Sequence, residues 1–435
     1  MVEEADVVIV GGGIAGLIAG RDLSSTGLSV VILEARDRLG GRVWTDRRLG
    51  RDLEMGGTWL HWVQAHSWSE INRYGLGITR GPRSEETFWL AGDQVRHGNL
   101  DDFMAVIDNG MTRIVSEAMQ RIPRPDTPVS VPGLADVDGY SLQEMLDRLD
   151  LSVEERNANE AAWVGHFNAP LKYCAYTNAL RWAAATAGSW RVMHEASAIY
   201  RLTDGTKALV DAIVADSTAE IRTGASVRSI RHDGAGAEIG YGDGRLIRAR
   251  RVVITVPQNL ISGLDIVPAL SPGKLAPSVE KTASRGVKVW IRVRGPIKPF
   301  FAYSSQRHPL AVVRTEYLGE DDAVLVAFGA DATKIDVTDA GAVAAALRVW
   351  RDDLEVLEVT GHNWMADEYS AETWLVQQPG QLTKYLLDQQ AQQGVLHFAS
   401  GDIANIWAGF IDGAIESGAR VARTVAAELP VPVPA

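Results

Sequence analysis

The sequence contains a single cysteine, Cys174, so no intrachain disulfide can form and an oxidising folding compartment is not implied. No apolar run approaches the ~18 residues that a membrane-crossing helix needs. No basic segment leads into an apolar stretch at the start, so a secretory leader is not expected. The proline-rich end, 430–435, carries no membrane-anchor helix and reads as a frayed terminus. No group of His, Cys, Asp and Glu has metal-ligand spacing, so no metal is expected. No Ser-His-Asp or Cys-His nucleophile pattern stands out either. Cations do not dominate: 43 Lys and Arg face 55 Asp and Glu, a net charge of -12 that argues against a nucleic-acid partner. The expectation is a cytoplasmic globular protein. Its 435 residues, 46% hydrophobic, suffice for two domains with real cores.

Glycine, by contrast, is plentiful, with 42 residues, and the chain is organised around its first cluster, Asp6-Val-Val-Ile-Val-Gly-Gly-Gly-Ile-Ala-Gly-Leu17. An apolar run meets Gly11, Gly13 and Gly16, a helical pattern follows to about Leu23, and a second apolar run ends in Glu34. Gly11 permits the tight turn, Gly13 lets backbone approach a pyrophosphate, and Gly16 lets helix and strand pack closely. Free amides at the helix start face phosphates. Glu34, about 20 residues on, can accept hydrogen bonds from a ribose diol. Strand, turn, helix, strand and acid together predict a bound dinucleotide.

Two further glycine clusters follow. Glu34-Ala-Arg-Asp-Arg-Leu-Gly-Gly-Arg42 supplies Ala35, Arg36, Arg38, Gly41 and Arg42, and its arginine forks suit phosphate oxygens. Glu54-Met-Gly-Gly-Thr-Trp-Leu-His61 brings backbone close to something flat through Gly56, Gly57, Thr58 and Trp59. A nicotinamide enzyme needs neither.

Further along, residues 140–200 read as helical, with capping-box spacing at Ser141-Leu-Gln-Glu144. A helix is expected from Gly205 and a strand pair over Ala225–Ile230 and Ala237–Tyr241. Val287-Lys-Val-Trp-Ile-Arg-Val293 alternates and predicts a half-buried strand. A helix is expected over Ala340 to Leu354, and strand, glycine turn and helix recur from Val395 to Arg420.

These motifs, with Lys288, Asn363-Trp364, Gly401-Asp402 and Gly409-Phe-Ile-Asp-Gly-Ala414, resemble the flavin amine oxidases over nearly the whole chain. Within that family the chain is most similar to the bacterial nicotine-type oxidases. The resemblance implies an α/β fold. A Rossmann-like FAD-binding domain is assembled from 1–75, 205–285 and 385–435. An inserted α+β substrate-binding domain, a mixed sheet with helices, takes 76–204 and 286–384.

It also implies roles. Gly11, Gly13, Ala15, Gly16, Glu34, Ala35, Arg36, Gly41, Arg42, Gly56, Gly57, Thr58, Trp59 and Trp364 would contact FAD. Val227 would cap the adenine, and Asp402 with Gly401 would hold the ribityl chain. Phe410, Ile411 and Ala414 would aim backbone amides at the flavin edge where charge develops. Lys288 would hold a water near the flavin, and Trp374 and Phe410 would form the slot for the amine. Asn168 and, more weakly, His166 and His61 would touch substrate. Thr373 stands where mitochondrial monoamine oxidases have their flavin-bonding cysteine, so FAD is expected to be non-covalent.

The implied reaction is oxidation of a secondary or cyclic amine, nicotine-like, with dioxygen reduced to hydrogen peroxide. The alternatives are a primary-amine oxidase and a dehydrogenase serving a protein acceptor. A homodimer is the family-level expectation. No arginine replaces Thr58 or Trp59, where L-amino-acid oxidases bind a carboxylate, which leaves Arg181, Arg191 and Arg314 as arginines that could do so.

Overall fold

The computed structural model describes residues 3–430, so the end called frayed lies outside the described residues from 431 onward. Strand β1 (Glu3–Val10) meets helix α1 (Ile14–Ser24) through the glycine turn, and β2 (Val30–Leu33) pairs parallel to β1. Alternate residues of β1 enter two separate cores. Val7 and Ile9 pack towards α1, while Val8 and Val10 face the opposite core. A parallel strand covered on both faces must be apolar throughout, which is why Val7 to Val10 reads as a continuous run.

Among the described residues, β1 and β2 belong to an eight-stranded sheet. Its order is Asp265–Val267, Val227–His232, Ala237–Tyr241, Arg245–Ile254, β1, β2, Glu220–Arg222, with Leu396–Phe398 also paired to Arg245–Ile254. The C-terminal helix Ile411–Glu428 lies across α1, with Gly418 against the carbonyl of Ala15.

A second sheet runs Val356–Gly361, Val287–Arg294, Asp322–Gly329, Val312–Leu318, Phe300–Tyr303, Glu86–Ala91, Gln94–Gly98. Helices Leu100–Val115, Val153–Phe167, Tyr176–Ala184 and Trp190–Ala198 accompany it. The capping box at Ser141 and Glu144 forms as expected.

Two expectations need correction. The strand Val287–Arg294 is not half-buried: residues 287–291 are all buried. Val287, Val289 and Ile291 pack in the core that includes Val343 and Leu347, while Trp290 packs against Leu53 and Met55. The expected helix to Leu354 ends at Leu347. Trp350 turns inward there and donates its indole N–H to the Tyr303 carbonyl at 2.9 Å.

Candidate active site

Strand register lays out one floor of the site. Residues directly opposite in antiparallel strands share a face. Lys288 lies opposite Phe328, Phe328 opposite Val312, and Val312 opposite Tyr303. The next row is Trp290, Val326, Arg314 and Phe301. Lys288, Phe328, Val312, Tyr303, Arg314 and Phe301 of this face, with the three glycine clusters, enclose a cavity of about 450 Å³. Every residue expected to contact FAD or substrate lines it except Gly16, Arg38 and the weaker candidate His61. Gly16 sits behind the wall, where an added Cβ would lie 2.0 Å from the Gly11 carbonyl oxygen. His61 instead packs on Trp62, with ring centroids 3.8 Å apart.

Gly13 leaves room for a ligand, while Gly56 makes way for protein backbone. A Cβ on Gly13 would find protein atoms no closer than 3.8 Å, whereas one on Gly56 would meet the Arg42 carbonyl oxygen at 1.9 Å. Glu34 accepts from the Gly12 amide at 2.6 Å and the Arg36 amide at 2.9 Å, which fixes its carboxylate beside the turn.

The arginines are less free than the sequence suggests. Arg36 donates to Asp367 at 2.5 Å and to Ser370 at 3.0 Å. Arg38 lies over the Trp44 ring at 4.4 Å, off the cavity wall. Arg42 donates to Glu372 at 3.0 Å, to the Thr373 carbonyl at 3.1 Å and to Asp402 at 2.8 Å. They hold segments together because buried carboxylates compete for them. Burial, then the neighbouring Asp402, pushes the Glu372 carboxyl well above the usual carboxylate range, against the pull of Arg42.

Lys288 is buried and donates to the carbonyls of Glu54 at 2.7 Å and Gly56 at 3.0 Å and to the Thr58 hydroxyl at 2.7 Å. Burial still pushes its ammonium down to about 7.

Trp374 donates its indole N–H to the His166 carbonyl at 3.1 Å and packs near Phe328. Phe410 packs edge-on against Trp182 and Trp407, with centroids 4.7 and 5.0 Å away. These contacts fix both ring planes at the cavity wall. His166 lies 3.5 Å from His194, and burial pushes the two down to about 3 and about 4. Both imidazoles are therefore neutral near pH 7. Asn168 ends helix Val153–Phe167 in the left-handed region at φ 50° and donates to the Val287 carbonyl at 3.1 Å. Its amide thus joins helix to strand, and only its oxygen is left without a partner.

Of the three arginines weighed for a carboxylate, Arg314 alone reaches the cavity wall. Arg181 bonds the carbonyls of Ala404 and Asn405, and Arg191 pairs with Asp108. Sequence reasoning did not place His194, Tyr303 or Phe301 on the cavity wall, nor Glu372 as the buried partner of Arg42. One usable signal was present: Arg314 and Glu316 sit two apart, on one face of the strand Val312–Leu318.

A dinucleotide turn joined to an aromatic chamber defines the class of a cofactor-dependent oxidoreductase. A family model described as flavin-containing amine oxidoreductase matches residues 14–426, and the chain belongs to that family. It is 36% identical over 431 residues to a pseudooxynicotine dehydrogenase of a Pseudomonas species, covering 98% of this chain and 86% of that one. It is 33% identical over 431 residues to a nicotine dehydrogenase of Pseudomonas putida, covering 97% and 88%. It is 28% identical to the (S)-6-hydroxynicotine oxidase of Paenarthrobacter nicotinovorans, covering 95% and 97%. The fold matches a putrescine oxidase bound to putrescine with TM-score 0.86 at 23% identity, covering 98% and 100%.

The protein is thus an amine-acting flavin oxidoreductase, and its cavity fits the FAD that the family carries. The open approach at Gly13 and the buried, unpartnered oxygens of Asp402 (Oδ1) and Thr373 (Oγ1) are what a bound flavin nucleotide would cover and satisfy. Among the described residues no helix is long and apolar enough to cross a membrane.

Proposed function

We propose that the protein oxidises a C–N bond of a secondary or cyclic, nicotine-like amine to an iminium. The observation that carries this reading is a continuous cavity joining the FAD cradle to a chamber walled by Trp374, Phe410, Phe301 and Tyr303. When bound, FAD supplies a hydride acceptor whose electrons pass to dioxygen, released as hydrogen peroxide. Trp374 and Phe410 confine the flat amine and exclude water. The amine must bind uncharged, because its lone pair forms the C=N bond as the hydride leaves. The Arg314 cation disfavours an ammonium in the chamber. The neutral His166 and His194 supply no strong base, and none is required. Water then adds to the iminium carbon after release.

The names of the two Pseudomonas relatives favour a second reading, in which electrons go to a protein acceptor. Mixing reduced enzyme with air-saturated buffer separates the two. Reoxidation within seconds supports dioxygen; reoxidation over many minutes supports the protein acceptor. The amine reading itself is tested by anaerobic bleaching of the bound flavin with nicotine, pseudooxynicotine, a primary arylalkylamine, putrescine and an L-amino acid. Fast bleaching by a pyridine alkaloid is expected. Bleaching by the primary amines alone would sink the nicotine-like assignment.

A further inference from the structure

One wall of the chamber carries hydrogen-bond donors with nothing to donate to. Arg314 is 7% exposed and lines the cavity. Its Nη1 donates to the Ala198 carbonyl, but its Nε has no acceptor. Its Nη2 lies 2.7 Å from Glu316 Oε2 without hydrogen-bond geometry. The guanidinium sits 4.6 Å over the Trp59 ring, and the Trp59 indole N–H is also buried without an acceptor. Two stacked side chains, one from strand Val312–Leu318 and one from the loop of the Gly56-Gly57 cluster, thus leave donors unsatisfied beside the same cavity. A buried, unpaired donor is costly, more so on a charged group. The charge balance points the same way. Glu316 is shared between Arg201, at 2.8 Å, and Arg314, so the trio keeps one net positive charge.

We propose that Arg314 and Trp59 form an oxygen-acceptor subsite, selecting amines that carry a carbonyl or carboxylate oxygen apart from the oxidised C–N bond. This rests on the amine reading above and narrows its substrate class. Arg314 acts as a specificity residue; it has no part in the bond-breaking step. A simple cyclic amine leaves both donors bare, whereas an amino ketone or amino acid satisfies them.

The test uses the FAD-loaded enzyme and three probes: pseudooxynicotine, which bears a ketone; its deoxo analogue, with methylene in place of the ketone; and γ-(methylamino)butyrate, which bears a carboxylate. Anaerobic flavin bleaching gives apparent Kd and limiting rate. The expected result is roughly 10- to 100-fold tighter binding of one oxygen-bearing probe than of the deoxo analogue, by the usual strength of charge-assisted hydrogen bonds. Preference for the ketone or for the carboxylate names the oxygen. In R314M that preference should collapse towards unity, and in R314K it should survive in part. Equal wild-type affinity for all three probes overturns the subsite while leaving the amine reading standing. An undiminished preference in R314M also overturns it. If none of the probes bleaches the flavin, the amine reading fails and takes the subsite with it. Should R314M not fold, the wild-type comparison alone still decides.

Discussion

The Nη2 of Arg42 lies 2.8 Å from Oδ2 of Asp402, and the other oxygen of Asp402 has no partner. The same guanidinium holds Glu372, whose side chain is wholly buried. Removing the arginine would leave two carboxyl groups facing each other in the interior. R42M is expected to lose on the order of 3 kcal/mol of stability, as buried pairs do when one partner is deleted. Urea unfolding measures it, and R42M/E372Q should recover part of the loss. An unchanged midpoint in R42M would contradict the buried pairing.

Gly13 and Gly16 separate ligand approach from packing. G13A has room in the protein but intrudes on the cavity, so the apo-protein should keep its unfolding midpoint while FAD binding weakens. G16A places its methyl 2.0 Å from the Gly11 carbonyl oxygen and should destabilise the apo-protein itself. Apo-protein unfolding and FAD titration together distinguish the two. The reverse pattern would mean that the cradle is not where the glycine turn places it.

Lys288 gives a pH signature. Burial lowers its ammonium from 10.5 to about 7, so above that value the folded state binds fewer protons than the unfolded state. Stability linked to this group therefore rises with pH between about 7 and 10.5 and is lowest below that window. The unfolding free energy of wild type minus that of K288M should increase from pH 7 to pH 9. Parallel curves would show that Lys288 keeps its proton throughout.

Phe410 and Trp374 should act by shape. F410A opens the chamber and is expected to slow anaerobic flavin reduction on the order of 10- to 100-fold, the scale of a substrate misplaced by about 1 Å. F410Y keeps the ring and should stay near wild type. Stopped-flow absorbance reads both, and a fast F410A would remove Phe410 from the substrate wall.

The absence of sulfur at Thr373 has a chemical readout. Acid precipitation should release the flavin into the supernatant, since the only cysteine, Cys174, is buried off the cavity wall. Flavin retained in the pellet would overturn the non-covalent expectation.

The nucleotide half was legible because its signals are local. The turn at Gly11, the helix Ile14–Ser24 and the acid at Glu34 are fixed by spacing within a short stretch. The substrate half depends on pairing between distant strands. Alternation around Lys288 reports residue type, but not that the Glu54 and Gly56 carbonyls and the Thr58 hydroxyl cover the lysine. Arg314 becomes a wall residue only through its register with Val326 and Phe301. The fork-bearing Arg36 and Arg42 were recognisable as site residues. Their carboxylate partners, some 330 residues away for Asp367 and Glu372, were not.

The contact of Gly418 with Ala15 ties the far end of the chain to the first turn of α1. The helix that backs the glycine turn is thus among the last described elements of the chain, so the nucleotide cradle cannot be complete while Ile411–Glu428 is undocked. Closing so long a loop is slow. Flavin capture should therefore be a late event in folding, and yellow colour in a refolding experiment would report that the two ends of the chain have met.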